Sequence, residues 1–185
     1  RWAIVTEYID GQTADALMKA HPEKRKEYLG MLVRLQISVH EKACGLLPRL
    51  TDKIGRGIAL AKSYGADGAA LNALVSTLPE KNCFCHGDFN PSNIIVGDDG
   101  KLYVIDWVHA SQGNASADVA RTYLLLSLKD KKKAELYMDL FCEKTGTEKR
   151  YVQGWLPIVA AAQLAYKRPE EKDLLESWIN VFEYQ

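Results

Sequence analysis

The chain has 185 residues, enough for one domain or one large lobe of a two-lobed protein with a substantial core. Its 24 lysines and arginines balance 24 aspartates and glutamates, so no net field favours a nucleic acid as partner or draws the chain to an anionic membrane. No apolar run approaches the ~18 residues of a bilayer span and the first residues lack a secretory pattern, which makes the cytoplasm the expected location.

The sequence opens at Arg1 without an initiator Met, and Ala3, Ile4 and Val5 read as the middle of a buried strand. A fragment is therefore expected, its sheet begun upstream. Trp2 to Tyr8 predicts that strand, ended by the turn signal Asp10-Gly11. Thr13 is placed to cap a short helix over Ala14 to Lys19. Pro22 and Glu23 start a longer one, whose stripe of Leu29, Leu32, Val33, Gln36 and Val39 faces a core. A further helix is expected over Lys53 to Ser63, with an end obscured by the Gly- and Ala-rich stretch Gly65 to Ala70.

After Pro79 the pattern changes to short β-like runs: Cys83 to Cys85, Ile94 to Val96 and Leu102 to Ile105, the last two joined as a hairpin through Gly97-Asp98-Asp99-Gly100. Cys83 and Cys85 alternate along their strand and cannot share a metal. The four cysteines together read as free thiols. A buried helix follows from Ser116, with Val119, Tyr123 and Leu126, and then a solvated basic run over Lys129 to Lys133. Tyr151 to Tyr166 is helical with Pro157 inside it, which should kink it or divide it in two. Pro169-Glu170-Glu171 starts a last helix with Leu174, Leu175, Trp178, Ile179 and Phe182 on one face.

The chemistry concentrates between His86 and Asp106. Counted from a turn at Asp99-Gly100, antiparallel pairing sets Asn93 opposite Asp106 at the open end of the hairpin. Asp88 lies five residues before Asn93 in a loop stiffened by Pro91. One carboxylate and one amide suit magnesium, which keeps several waters and takes further ligands from phosphates. Asp88 is then left to orient an attacking hydroxyl and accept its proton, the positioning task that dominates phosphoryl transfer.

The order H-G-D-x-x-x-x-N, apolar strand, turn, apolar strand and Asp resembles the catalytic and metal loops of protein kinases. Gly87 after His86, and Ile105-Asp106-Trp107 in place of Asp-Phe-Gly, resemble the aminoglycoside phosphotransferase and choline kinase-like family instead. The resemblance implies an α+β, predominantly helical fold: the C-terminal lobe of a protein kinase-like protein, with a catalytic loop and short β-hairpin, the N-terminal β lobe missing. Residues 1–11 would be hinge strand and connector, and 12–185 the helical catalytic lobe.

By the same resemblance Asp88 is the catalytic aspartate, Asn93 and Asp106 are magnesium ligands, and His86 shapes the loop without transferring protons. Asp118 is implied as a brace for the catalytic loop. A residue-level alternative has Ser116 capping the helix and Asp118 sitting in its positive first turn. Ile4 to Gly11 resembles the hinge between lobes, with the Glu7 carbonyl and Ile9 amide as contacts of the adenine of ATP, or of the base of GTP. The implied activity is transfer of the γ-phosphate to a hydroxyl of a small molecule.

The Gly-rich phosphate loop and its strand lysine, which the family keeps in the N-terminal lobe, are not in this sequence. The 185 residues alone are therefore expected to bind nucleotide poorly and transfer little phosphate. Val108 stands where choline kinase-like members often have an acid, which moves the resemblance toward the aminoglycoside phosphotransferase branch. Glu170, Glu171, Asp173 and Glu176 either line a site for a polyamine-like acceptor or form a solvated first turn. His40 reads as a packed core histidine and His109 as incidental. Two other readings compete: a metal-dependent phosphohydrolase using His86, Asp88, Asp106 and His109, which leaves Asn93 idle, and a non-catalytic pseudokinase-like binding module, which has no need of Asp88, Asn93 and Asp106 together.

Overall fold

A computed structural model describes residues 3, 5–61 and 67–179. Trp2, Ile4, Ser63 and Phe182, each assigned above to an element, lie outside the described residues. The remainder is helix-rich α+β. β1 (Gly11–Thr13) leads into α1 (Ala14–Ala20), where the Thr13 hydroxyl accepts the Ala16 amide at 3.2 Å. A single 3-10 turn over Pro22–Lys24 precedes α2 (Arg25–His40), and Leu29, Leu32, Val33, Gln36 and Val39 are all buried, as their spacing requires. α3 (Leu50–Ala61) and α4 (Gly68–Thr77) follow. The sequence pattern did not predict α4; its first-turn amides, at Ala69 and Ala70, are satisfied by Asp67 Oδ1 at 2.9 and 3.1 Å.

Over its described residues the expected strand at 2–8 is corrected. Residues 5–10 carry no strand, and Val5 and Tyr8 are 93% and 84% exposed. A strand exists only where a neighbour accepts its ladder, and here the ladder starts at Gly11, which is set opposite Gly97. β1 therefore includes residues on both sides of the expected 11/12 boundary.

β2 (Cys83–Cys85) pairs antiparallel with β5 (Ser111–Gly113), and β3 (Ile94–Gly97) lies between β1 and β4 (Leu102–Val104) in a three-stranded antiparallel sheet. The polar Ser-Gln-Gly of β5 has no strand pattern of its own and is held by pairing. Two segments cross between these sheets: residues 86–93 from β2 to β3, and residues 105–110 back from β4 to β5.

α5 (Ala115–Ser127) is capped by Asn114, whose Oδ1 accepts the Ser116 amide at 2.9 Å, so Ser116 is not the cap. α6 (Lys131–Thr145), α7 (Lys149–Gln153), α8 (Leu156–Leu164) and α9 (Lys172–Ile179) complete the chain. Pro157 sits in the first turn of α8, where its missing amide is tolerated. Helices pack behind the sheets, α3 on α8, α8 on α9, α5 on α6 and α8, and α2 on α6. Trp155, Tyr137 and Phe89 are the largest fully buried side chains. Among the described residues no helix is long and apolar enough to cross a membrane.

The crossing of α3 over α8 is close because Gly57 faces Ala162; a Cβ there would stand 2.8 Å from the Ala162 Cα. Gly55, two residues earlier in the same helix, meets nothing within 4 Å. Gly57→Ala should therefore destabilise by about 1–3 kcal/mol despite its better helix propensity. Gly55→Ala should stabilise by up to about 1 kcal/mol. Urea denaturation midpoints with unchanged slopes test the opposite signs.

Candidate active site

The loop after β2 begins with a buried histidine whose two ring nitrogens are both committed. Nδ1 of His86 accepts the Asp88 amide at 3.2 Å and Nε2 donates to the Ile105 carbonyl at 3.0 Å. An amide can only donate and a carbonyl can only accept, so the ring is the neutral Nε2–H tautomer. Burial holds its pKa below 6.5, against the opposing effects of the Ile105 carbonyl and of Asp118, Asp88 and Asp106. His86 thus ties the first crossing segment to the second and has no lone pair left for a proton or a metal.

Gly87 follows with φ +81°, and a Cβ on it would lie 2.6 Å from the His109 carbonyl. The two segments pass too closely for any side chain at this position. Its amide donates to Asp118 Oδ1 at 2.7 Å, while the His86 amide reaches Oδ2 at 3.4 Å. Asp118, 2% exposed, also accepts from His40 Nε2 at 2.9 Å and Gln36 Nε2 at 3.1 Å. Burial by itself would raise the pKa of this carboxyl; the bonds from His40, the Gly87 amide and Gln36 outweigh it and hold the pKa below the usual carboxylate range. Gln36 in turn donates to Thr122 and accepts from the Tyr137 hydroxyl.

Of this network the sequence alone indicates Asp118 as a brace by resemblance, and His40 and Gln36 as core-facing residues of α2, without their polar role; Tyr137 carries no signal. For Gln36 and His40 a signal was present: they interrupt the apolar stripe of α2 at i, i+4 spacing, which puts two polar side chains on one buried face.

Phe89, fully buried, plugs the loop into the core, and the Asn90 side chain caps the turn Pro91–Asn93 through the Ser92 amide at 3.0 Å. Asn93 Nδ2 donates to both the carbonyl and the Oδ2 of Asp88, each at 2.9 Å. Asp88 and Asn93 are therefore in contact.

Asp106 is one residue out of the expected register. Ile94 pairs with Val104 and Ile105 donates to the Asn93 carbonyl at 3.0 Å, so Asn93 stands opposite Ile105. The hairpin loop has three residues, not two: Gly97 donates to Lys101 O at 2.8 Å around Asp98, Asp99 and a left-handed Gly100, φ +78°. A shift of one residue moves side chains to the other face of a strand. Asp106 escapes that rule because it has left the strand, at φ 61° and ψ 64°. Asp106 is exposed, and its charge, with those of Asp88 and Asp118, is felt at the His86 ring.

Asp88 opens on a cavity of about 450 Å³. Glu170 and Glu171 line it, together with Asp15, Arg121, Lys129 and Lys133; Asp173 and Glu176 do not. His109, set aside above as incidental, also lines it. Lys133 is half-buried and paired with Asp15 at 3.4 Å, which corrects a wholly solvated reading of the basic run. Cys83 and Cys85 are free thiols. Glu7 is exposed and Ile9 half-buried, and neither the Glu7 carbonyl nor the Ile9 amide has a backbone hydrogen bond among the described residues.

Residues 2–152 match the family described as the phosphotransferase enzyme family, APH. The chain belongs to that family. Solved structures of similar fold include an aminoglycoside-3'-phosphotransferase of type VIII, 17% identical over 85% of this chain and 67% of that one, with TM-score 0.60. The choline kinase LicA from Streptococcus pneumoniae is 15% identical over 94% and 68%, with TM-score 0.66. The ethanolamine kinase of Plasmodium vivax is 13% identical over 100% and 62%, with TM-score 0.51. At such identities the likeness is one of fold, and the chain spans about two thirds of the length of these proteins. No match is found among curated protein sequences.

Asp118→Asn preserves shape but leaves one acceptor oxygen and adds a donor among existing donors. A loss of about 3 kcal/mol at neutral pH is expected by chemical denaturation. Because the folded-state pKa lies below 3.8, the native carboxylate contributes stability above its unfolded-state value and loses that contribution as pH falls through the folded value. Wild-type stability should thus drop more steeply below about pH 4 than that of the variant. Parallel pH–stability curves would contradict the assignment.

Proposed function

We propose that the chain forms the catalytic lobe of a kinase-like enzyme that transfers the γ-phosphate of ATP, or GTP, to a hydroxyl of a small molecule. The observation that carries this reading is the contact of Asp88 with Asn93 at the wall of the 450 Å³ cavity, in a loop fixed by His86 and Asp118.

Asp88 orients the acceptor hydroxyl and takes its proton as the oxygen bonds to the γ-phosphorus and the bond to the leaving diphosphate breaks. Asn93 gives both its N–H donors to Asp88, so its Oδ1 is the end left for a cation. Asp106 brings a carboxylate to the same end of the hairpin. This donor set fits magnesium: one amide oxygen and one carboxylate, with the remaining positions left to water and phosphate oxygens. Bound there, the ion would neutralise charge on the triphosphate. The Glu7 carbonyl and Ile9 amide are assigned to the nucleobase, and LicA, similar in fold, has been crystallised in complex with AMP.

The phosphohydrolase reading fares worse on one count. It needs His86 as a ligand, and both His86 nitrogens are held by the backbone. Among the described residues no group of three or more His, Cys, Asp or Glu side chains is arranged to hold a metal ion by itself.

On the full-length protein, Asp88→Ala should lower turnover at least ~100-fold, with a much smaller effect on nucleotide affinity. Asp106→Ala should abolish magnesium-dependent nucleotide binding measured by calorimetry. Near-normal turnover in the first variant, or unchanged magnesium dependence in the second, refutes the corresponding role.

A further inference from the structure

The charges around the Asp88 cavity are not equally satisfied. Asp15 is held by Lys19 at 2.8 Å and by Lys133 at 3.4 Å. Glu171, buried, accepts from Arg168 at 3.0 Å and from Gln163. Asp88 has Asn93. Lys129 and Glu170 are exposed and solvated. Arg121 is the exception.

Arg121 projects from α5, half-buried, with no carboxylate within ion-pair distance among the described residues. Its guanidinium donates to the amide oxygen of Gln163, and its Cζ lies 5.8 Å from the centre of the Tyr166 ring. Arg121 also lines a second chamber of about 330 Å³ with a largely apolar wall that includes Leu50, Ile54, Val159 and Ala162. A guanidinium stays charged at any physiological pH, and one neutral acceptor and a ring face leave most of its five donors unmatched. Burial disfavours its charged form, an effect only partly offset by Tyr166, Asp88 and Glu171. A partly desolvated cation with that geometry is complemented best by a carboxylate or phosphate, which the fork can bind through two parallel hydrogen bonds.

Resting on the reading of the Asp88 cavity as the acceptor site, we infer that the acceptor carries an anionic group and that Arg121 binds it while Asp88 engages the hydroxyl. The cavity suits a polycationic acceptor less well, because Asp15 and Glu171 are already neutralised by the chain's own cations, which leaves only Asp88, engaged with the hydroxyl, and Glu170 at the exposed rim.

The test uses matched pairs on the full-length protein. Glycerate and glycerol 3-phosphate are compared with glycerol, gluconate with glucose, and both sets with ethanolamine and kanamycin. Direct binding is measured by calorimetry without nucleotide, and phosphorylation with labelled ATP. At least one anionic probe should bind about 10- to 100-fold more tightly than its neutral partner, and Arg121→Gln should erase that difference. Arg121→Lys, which keeps the charge but loses the fork, should fall between. Preference for glycerate over glycerol 3-phosphate, or the reverse, decides between carboxylate and phosphate.

Should Arg121→Gln fail to fold, the wild-type ranking and the Arg121→Lys shift still decide. Arg121-dependent anion binding without phosphorylation of any probe would count against the kinase reading and leave this inference standing. Phosphorylation of neutral or cationic probes with no anion preference, or no binding of any anionic probe, overturns the inference.

Discussion

The buried carboxylate of Asp118 is the constraint around which the site is organised. A charge at 2% exposure is tolerable only when its lone pairs are filled, and here four donors from two parts of the chain fill them: Gln36 and His40 from α2, and the amides of His86 and Gly87 from the loop after β2. Two of these donors are backbone groups of a segment with no regular structure of its own. Such a segment would otherwise have to bury unpaired amides or leave them to water. The carboxylate thus fixes the start of the loop against α5, and the loop carries Asp88.

The other restraints on the loop act in the same direction. His86 links the Asp88 amide to the Ile105 carbonyl, Gly87 permits the closest approach to His109, and Phe89 anchors the loop in the core. The outcome is a short crossing segment whose path is determined at nearly every residue, lying beside a second one that ends the hairpin in the left-handed Asp106. The catalytic role proposed for Asp88 would need that kind of support, since an error of an ångström in such a group's position is costly in rate. The charge pattern of the adjoining cavity adds a different kind of information. Asp15 and Glu171 are matched by the chain's own cations, whereas Arg121 has no carboxylate partner among the described residues.

Much of this was legible in the sequence, for identifiable reasons. The cap of α1 and the apolar stripes of α2, α5 and α9 follow local rules, and the hairpin of β3 and β4 follows from two apolar runs around a Gly-Asp-Asp-Gly turn. The register was misread by one because Asp98-Asp99-Gly100 supports a three-residue loop as readily as Asp99-Gly100 supports a two-residue one; only the ladder decides between them. β5 and the true start of β1 were invisible, since Ser-Gln-Gly and Gly-Gln-Thr are strands only because a neighbour pairs with them. Asp118 is indicated by the family resemblance, which implies an Asp at the start of the buried helix. Its partners on α2 are not, because they lie 78 and 82 residues away in sequence. Arg121 gave no signal at all: an arginine in a helix is ordinary until its surroundings show that, among the described residues, no carboxylate meets it.

If Asp118 works only by holding the loop that carries Asp88, the two residues form one unit. The most direct measurement is a double-mutant cycle on turnover with Asp88→Asn, Asp118→Asn and the double variant, at a temperature where all three are folded. The account predicts that the double variant is no slower than Asp88→Asn alone, because a misplaced loop costs nothing further once its carboxylate has gone. Losses that multiply would show that Asp118 contributes by a route independent of Asp88, and would contradict it.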